Sequence, residues 1–440
     1  MSELAAEPRW LTATDVVGLL VLNSGYLIAF CPPSYTGVLT LTLFAVLTFW
    51  MLLYWRLAID PTNAYVIKRV LILGVVVRCA LVATDPFTTH DVERYLWDGA
   101  VLLNGFDPYV VAPDNPVIAQ LRAVWPTPEE HAAYPTLYPP IALALFALSA
   151  LAGPVAGVLI WKVLATAASI ALLLLMADIL KAVKCESALP LVALSPLMLL
   201  EVGIGGHVDV FTSLSVACAL WALLRGKWLI LGIALGLGAG VKLLPIVLFA
   251  PLVIALPLRS SLISVGGGAL GLLSCYGPAL AFGLKPIGNL GVFFAKWEFG
   301  SPIYSLLQAS PAITDPRLVL LALAVIASAF ALWLARTNII SAMMAMLAVP
   351  LVLSPVVFPW YLLILVPLVA LRPNALMLLW LSLAPLSYEV LDRFAGEGIW
   401  EPATWPLWCI AGGWLVGIAL YLRTTPKPTP KFETLESPGH

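Results

Sequence analysis

The sequence predicts an all-α polytopic membrane protein, a bundle of about 13–14 transmembrane helices with a large loop outside the bilayer that contains short interfacial helices. Three observations predict it. Mean hydropathy is +0.99 over 440 residues, of which 61% are hydrophobic and 11% charged, and no soluble fold needs that much apolar sequence. Apolar runs close to the ~20 residues of a membrane-crossing helix recur along most of the chain. The stretch 85–140 breaks the pattern. It concentrates Asp91, Glu93, Arg94, Asp98, Asp107, Asp114, Arg122, Glu129 and Glu130 with two of the four histidines, and its prolines, from Pro108 to Pro140, forbid a long helix. It therefore reads as an ordered loop on one membrane face. Within it, Thr89 to Asn104 can form a helix, with Asp91, Tyr95 and Asp98 on one side and Val92, Leu96, Leu102 and Leu103 resting on the bilayer.

In chain order, apolar runs occupy 11–31, 37–55 and 67–84, with Arg56, Lys68 and Arg69 between the second and third. Basic residues favour the cytoplasmic side, which puts the amino terminus inside and 85–140 outside. Met1–Trp10 is polar and carries no cleavable-leader pattern. Arg78, inside the third run, reads as facing protein rather than lipid. The run 139–152 reads as a short helix dipping into the outer face, and 156–180 as a full span ending at Lys181 and Lys184. Runs 187–204 and 207–224 form a hairpin about Gly205–Gly206, with basic residues at both far ends, so His207 and Asp209 face outward. Runs 228–243 and 245–258 meet near Lys242, again outside. Later spans at 260–283, 318–335, 338–357, 361–371, 374–390 and 405–422 leave 284–315, Ser354–Tyr361 and Asp392–Pro402 outside. The chain thus divides into amino-terminal transmembrane helices 1–84, the loop 85–140, a transmembrane core 141–283, a second outer loop 284–315, carboxy-terminal helices 316–423 and a disordered cytoplasmic tail 424–440. Every polar island falls on one face.

Each island admits two readings. Asp91 can serve as a general base for an acceptor hydroxyl, or as the acid of a helix amino-terminal capping box beginning at Thr88. Asp98 fits as the i+4 partner of Arg94. His207 and Asp209 border a membrane-embedded hairpin, where polar groups are costly and functional by default; otherwise His207 is satisfied by a carbonyl. Lys242, in an apolar run before Pro245, either meets an anion such as a lipid-linked phosphate or snorkels to headgroups. Tyr134, Tyr138, Trp297, Trp360 and Tyr361 either stack on a sugar or belong to an interfacial aromatic belt. The six cysteines are scattered without metal-ligand spacing. There is no nucleotide loop, no metal cluster, no cofactor motif, and a net charge of −1 gives no sign of a nucleic-acid partner.

HDVERYLWDGAVLLNGFDPYVVAPDNP, YPTLYPP, GGHVD with GLGLGAGVKLLP, WEFGSPIY and SPVVFPWYLLILVPL, in that order from about 85 to 370, resemble the GT-C superfamily of integral-membrane glycosyltransferases. The bacterial polyprenyl-phosphate-mannose-dependent mannosyltransferases are the nearest branch. The resemblance implies a GT-C-like bundle and a hexosyltransferase of the inner membrane acting on its extracytoplasmic face. It implies an inverting transfer of a hexose, mannose first, from a polyprenyl-phosphate donor to a glycolipid or glycan hydroxyl. By position in THDVERY it makes Asp91 the catalytic base. The leaving phosphate needs a cation, for which Lys242 comes first and Arg94 second, while Tyr95, Tyr138, His207, Asp209, Trp297, Trp360 and Tyr361 fall to substrate binding. Two positions depart from the family pattern: Phe358 stands where a histidine tends to precede Pro-Trp-Tyr, and Gly300 replaces an asparagine.

Two other classes compete. A transporter or glycolipid flippase would carry internal repeats and a site near the bilayer midplane, whereas the polar residues here gather at one face. A non-catalytic membrane subunit would have no use for Asp91. The transferase reading requires Asp91 and Lys242 to look into one pocket.

Overall fold

The computed structural model describes residues 15–16, 18–20, 35–57, 64–127 and 132–423. The run expected at 11–31 lies mostly outside these residues, as do Glu129, Glu130, His131 and the tail expected to be disordered. Chain order runs α1 (Thr36–Leu57), α2 (Ala64–Ala80), α3 (Asp91–Leu103), α4 (Pro140–Ala150), α5 (Gly153–Ala182), α6 (Asp209–Leu224), α7 (Trp228–Ala239), α8 (Leu258–Ala281), α9 (Pro316–Leu334), α10 (Ile339–Val352) and α11 (Thr404–Arg423), with shorter helical turns between them. Among the described residues the non-helical pairing is one isolated parallel bridge, Phe299 to Val356.

Among the described residues, six helices are long and apolar enough to cross a membrane: α1, α5, α8, α9, α11 and the interrupted segment Ala375–Glu397. Six shorter apolar helices accompany them, α4, α6, α7, Leu244–Ala255, α10 and Pro359–Leu371. The chain is an all-α polytopic membrane protein.

Several runs expected to be continuous are broken. Within 187–204 a single turn at Pro190–Ala193 is followed by Ser195–Pro196 and then by a π-helical turn, Leu197–Glu201. Tight 3-10 turns open at Pro245, Pro359 and Pro385. Proline removes a backbone donor and frees a carbonyl, which membrane proteins tolerate where neighbouring protein re-satisfies the backbone.

Packing follows from small residues. α7 lies against α8 through facing glycines, so that a Cβ on Gly236 would stand 3.0 Å from the Cα of Gly271, and one on Gly271 would stand 2.8 Å from the Ile233 carbonyl oxygen. Such seams let backbones approach in lipid, where no hydrophobic force drives helices together. Gly99 plays the same part between α3 and α4: a Cβ there would be 2.5 Å from the Phe146 backbone. This close approach corrects the sequence expectation for α3. Val92 and Leu96 are not laid on a bilayer surface; they are buried with Tyr95, Phe146 and Trp161, while Leu103 stays exposed.

Two polar ties fix the frame. Asp392 caps the amino end of α1, accepting from the Gly37 N–H at 2.6 Å and the Val38 N–H at 2.9 Å. Arg78 faces protein, donating to Ser169 Oγ at 2.7 Å and to the carbonyls of Gly74, Val192 and Ala193 at 2.7–2.9 Å.

Candidate active site

α3 opens at Asp91, whose N–H donates to Thr89 Oγ1 at 3.1 Å, so the carboxylate sits in the first turn, where the helix dipole favours an anion. Tyr95, one turn on, donates its hydroxyl to Asp91 Oδ2 at 3.1 Å. The same Oδ2 lies 3.3 Å from His207 Nδ1. His207 reaches this place because the turn before it is built of two glycines. Gly206 has φ +66 and lies against Val92 and Trp161, and a Cβ on Gly205 would be 2.7 Å from the imidazole. Trp161 Nε1–H donates to the Gly206 carbonyl at 2.6 Å and locks that turn.

On its other edge His207 Nε2 lies 3.3 Å from Glu201 Oε2, and Glu201 Oε2 accepts from the Tyr388 hydroxyl at 2.7 Å. The imidazole is stacked on Trp360, with ring centres 3.9 Å apart and planes 9° apart. Trp360 stacks in turn on Phe358, and Phe358 on Phe299. The backbone sews these late segments together: Phe299 N–H donates to Pro355 O at 2.9 Å, and Val357 N–H to Phe299 O at 2.7 Å.

Lys242 follows the carboxyl end of α7. Its Nζ donates to both oxygens of Asp209 at 2.7 Å and stands 4.4 Å from the centre of the Tyr361 ring. Arg94 pairs with Asp98 at 2.9 Å, the expected i+4 partner, and donates to the Tyr134 carbonyl at 2.8 Å.

Several of these groups line one cavity of about 700 Å³. Asp91, Arg94, Lys242, Tyr138, Trp297, Trp360 and Tyr361 form part of its wall, and Tyr134 does too. Asp91 and Lys242 thus share one pocket. His207, Asp209 and Tyr95, expected to touch substrate, stand behind that wall. They are buried, and each holds a residue that faces the cavity. The sequence reading passed over Glu201 and Tyr388, absorbed into apolar runs, and over Phe394 and Trp400, which close the cavity from the segment after Val390. A carboxylate inside the apolar run 187–204 was the signal for Glu201.

The second polar cluster anchors the segment carrying Trp297. Glu298 pairs with Arg317 at 2.8 Å and accepts from Tyr304 and Gln308. Partial burial raises the Glu298 carboxyl, but the bonds from Tyr304, Arg317 and Gln308 outweigh it and hold the group below its ordinary range.

Helical bundle and cavity together define an integral-membrane protein with a carboxylate and a cation facing one cavity. Residues 12–259 match the family model described as alpha-(1->6)-mannopyranosyltransferase, N-terminal domain. That is more than half of the chain, and the chain belongs to this family of mannosyltransferases. No curated protein and no solved structure matches it.

Proposed function

We propose that the protein moves a mannosyl residue from a polyprenyl-phosphate donor to the 6-hydroxyl of a glycolipid or glycan acceptor, at the extracytoplasmic face of the cytoplasmic membrane. The observation that carries this reading is the shared cavity of Asp91 and Lys242 in a chain of a mannosyltransferase family. Asp91 takes the acceptor hydroxyl proton, the freed oxygen bonds to C1, and the C1–O bond breaks with its electron pair leaving on the polyprenyl phosphate. A single displacement inverts C1, so an α product requires a β-linked donor. Lys242, and Arg94 after it, meet the phosphate as its charge grows. Asp209 holds the Lys242 ammonium toward the chamber. Tyr134, Tyr138, Trp297, Trp360 and Tyr361 offer flat faces to the sugar and to the first prenyl units.

The test is purified protein with a panel of polyprenyl-phosphate sugars and an alkyl hexopyranoside bearing a free 6-hydroxyl. Mannose transfer by the wild type, reduced about 100-fold or more in Asp91→Asn, is the expected result. Equal transfer by both removes Asp91 from the mechanism.

A further inference from the structure

Glu201 and His207 are among the most deeply buried polar residues of the protein, at 1% and 0% exposure. Neither touches the cavity, yet both lie in line with Asp91: Tyr388 hydroxyl, Glu201 carboxylate, His207 imidazole, Asp91 carboxylate. A buried carboxylate needs compensation or it costs several kcal/mol, and here the compensation is arranged in a row that ends at the cavity wall.

We propose that Glu201 is a positioning residue for sugar transfer, acting through His207 to fix the Asp91 carboxylate. The proposal rests on Asp91 as the base. An imidazole whose two nitrogens each face a carboxylate oxygen serves both only by donating from both, which is the imidazolium form. Glu201 thereby sets which nitrogens carry protons and how the ring is turned, the task of the third member in nucleophile–base constellations. The surroundings restrain the ring. Trp360 covers one face at 3.9 Å, the Gly205 backbone abuts its edge, and the His207 N–H donates to the Glu201 carbonyl at 3.0 Å. Glu201 closes a π-helical turn, a rare geometry found often at functional sites, and Tyr388 pins its Oε2 from the other end of the chain. Both imidazole contacts, at 3.3 Å, are ion-pair contacts longer than the roughly 2.7–2.9 Å of a settled charge-assisted bond.

The experiment measures kcat and donor KM with polyprenyl-phosphate mannose and an alkyl mannoside for the wild type, Asp91→Asn, Glu201→Gln, His207→Asn, the double variant of the last two, and Tyr388→Phe. Glu201→Gln is expected to lower kcat about tenfold with donor KM unchanged, and the double variant to match His207→Asn alone. Tyr388→Phe, which keeps the ring, is expected to lower kcat about threefold on the same pattern. A wild-type kcat in Glu201→Gln, or multiplying effects in the double variant, overturns the inference while Asp91→Asn stays inactive. Full transfer by Asp91→Asn overturns the base assignment and this inference with it. Where Glu201→Gln fails to accumulate in membranes, a wild-type kcat for Tyr388→Phe overturns the inference.

Discussion

Lys242 is oriented before any ligand arrives, because Asp209 grips its ammonium through both oxygens. The pair is asymmetric: Asp209 is buried and Lys242 faces the cavity. Removing the lysine strands a buried carboxylate, which costs about 3–5 kcal/mol, whereas neutralising both partners costs far less. Lys242→Met should therefore lower the unfolding temperature in detergent more than the Lys242→Met/Asp209→Asn double variant, and both should raise donor KM. Glu298 gives a pH-dependent counterpart. Its folded value lies below the ordinary carboxylate value of about 4.3, so its contribution is present above that value and is lost as pH falls through the depressed one. Trp297 fluorescence should hold steady from neutral pH down past the ordinary range and change only at stronger acid. In Arg317→Met the change should move upward in pH. Asp91, Lys242 and the aromatic wall were legible in the sequence because charge and ring stand out against apolar runs. Glu201 was not, because its meaning lies in a histidine six residues later and a tyrosine 187 residues away.

The seam between α7 and α8 decides where Lys242 ends up. Because Gly232, Gly236, Gly267 and Gly271 leave no side chain between the two backbones, Gly236→Leu must push the helices apart or fail to pack. Overpacking of this kind costs about 1–3 kcal/mol. The expected result is a lower unfolding temperature together with a raised donor KM, measured on the same preparation. Gly99→Val should separate α3 from α4 and lower kcat, since Asp91 begins the displaced helix. Helix positions were readable from apolar runs, and α8, α9 and α11 begin within two residues of the runs' edges. The interruptions were not. A proline in an apolar run marks a break, but whether a 3-10 turn, a π turn or a kink follows depends on which neighbour supplies the missing donor. For the same reason the pattern in α3 predicts contact with the bilayer where the structure buries Val92 and Leu96 in protein: hydrophobic residues on one side of a helix do not say whether lipid or protein meets them.

The cavity wall draws on Thr36, on the loop that holds Asp91, on Lys242, on Trp297, on Trp360 and on Trp400, so the chamber is a property of the entire fold. In the proposed orientation all of these sit outside. Lys285→Cys, in a cysteine-free background, should react with an impermeant maleimide on intact cells, and Lys227→Cys only after permeabilisation; the reverse pattern would invert the topology. Asp392 adds a constraint in time. It caps Gly37, 355 positions earlier in the chain, and at about 5–20 residues per second of synthesis roughly 20–70 s separate the two. During that interval the Asp392 carboxylate that caps Gly37 and Val38 has not yet been made. A nascent chain stalled before Asp392 should therefore remain more open to protease at Thr36 than the released protein.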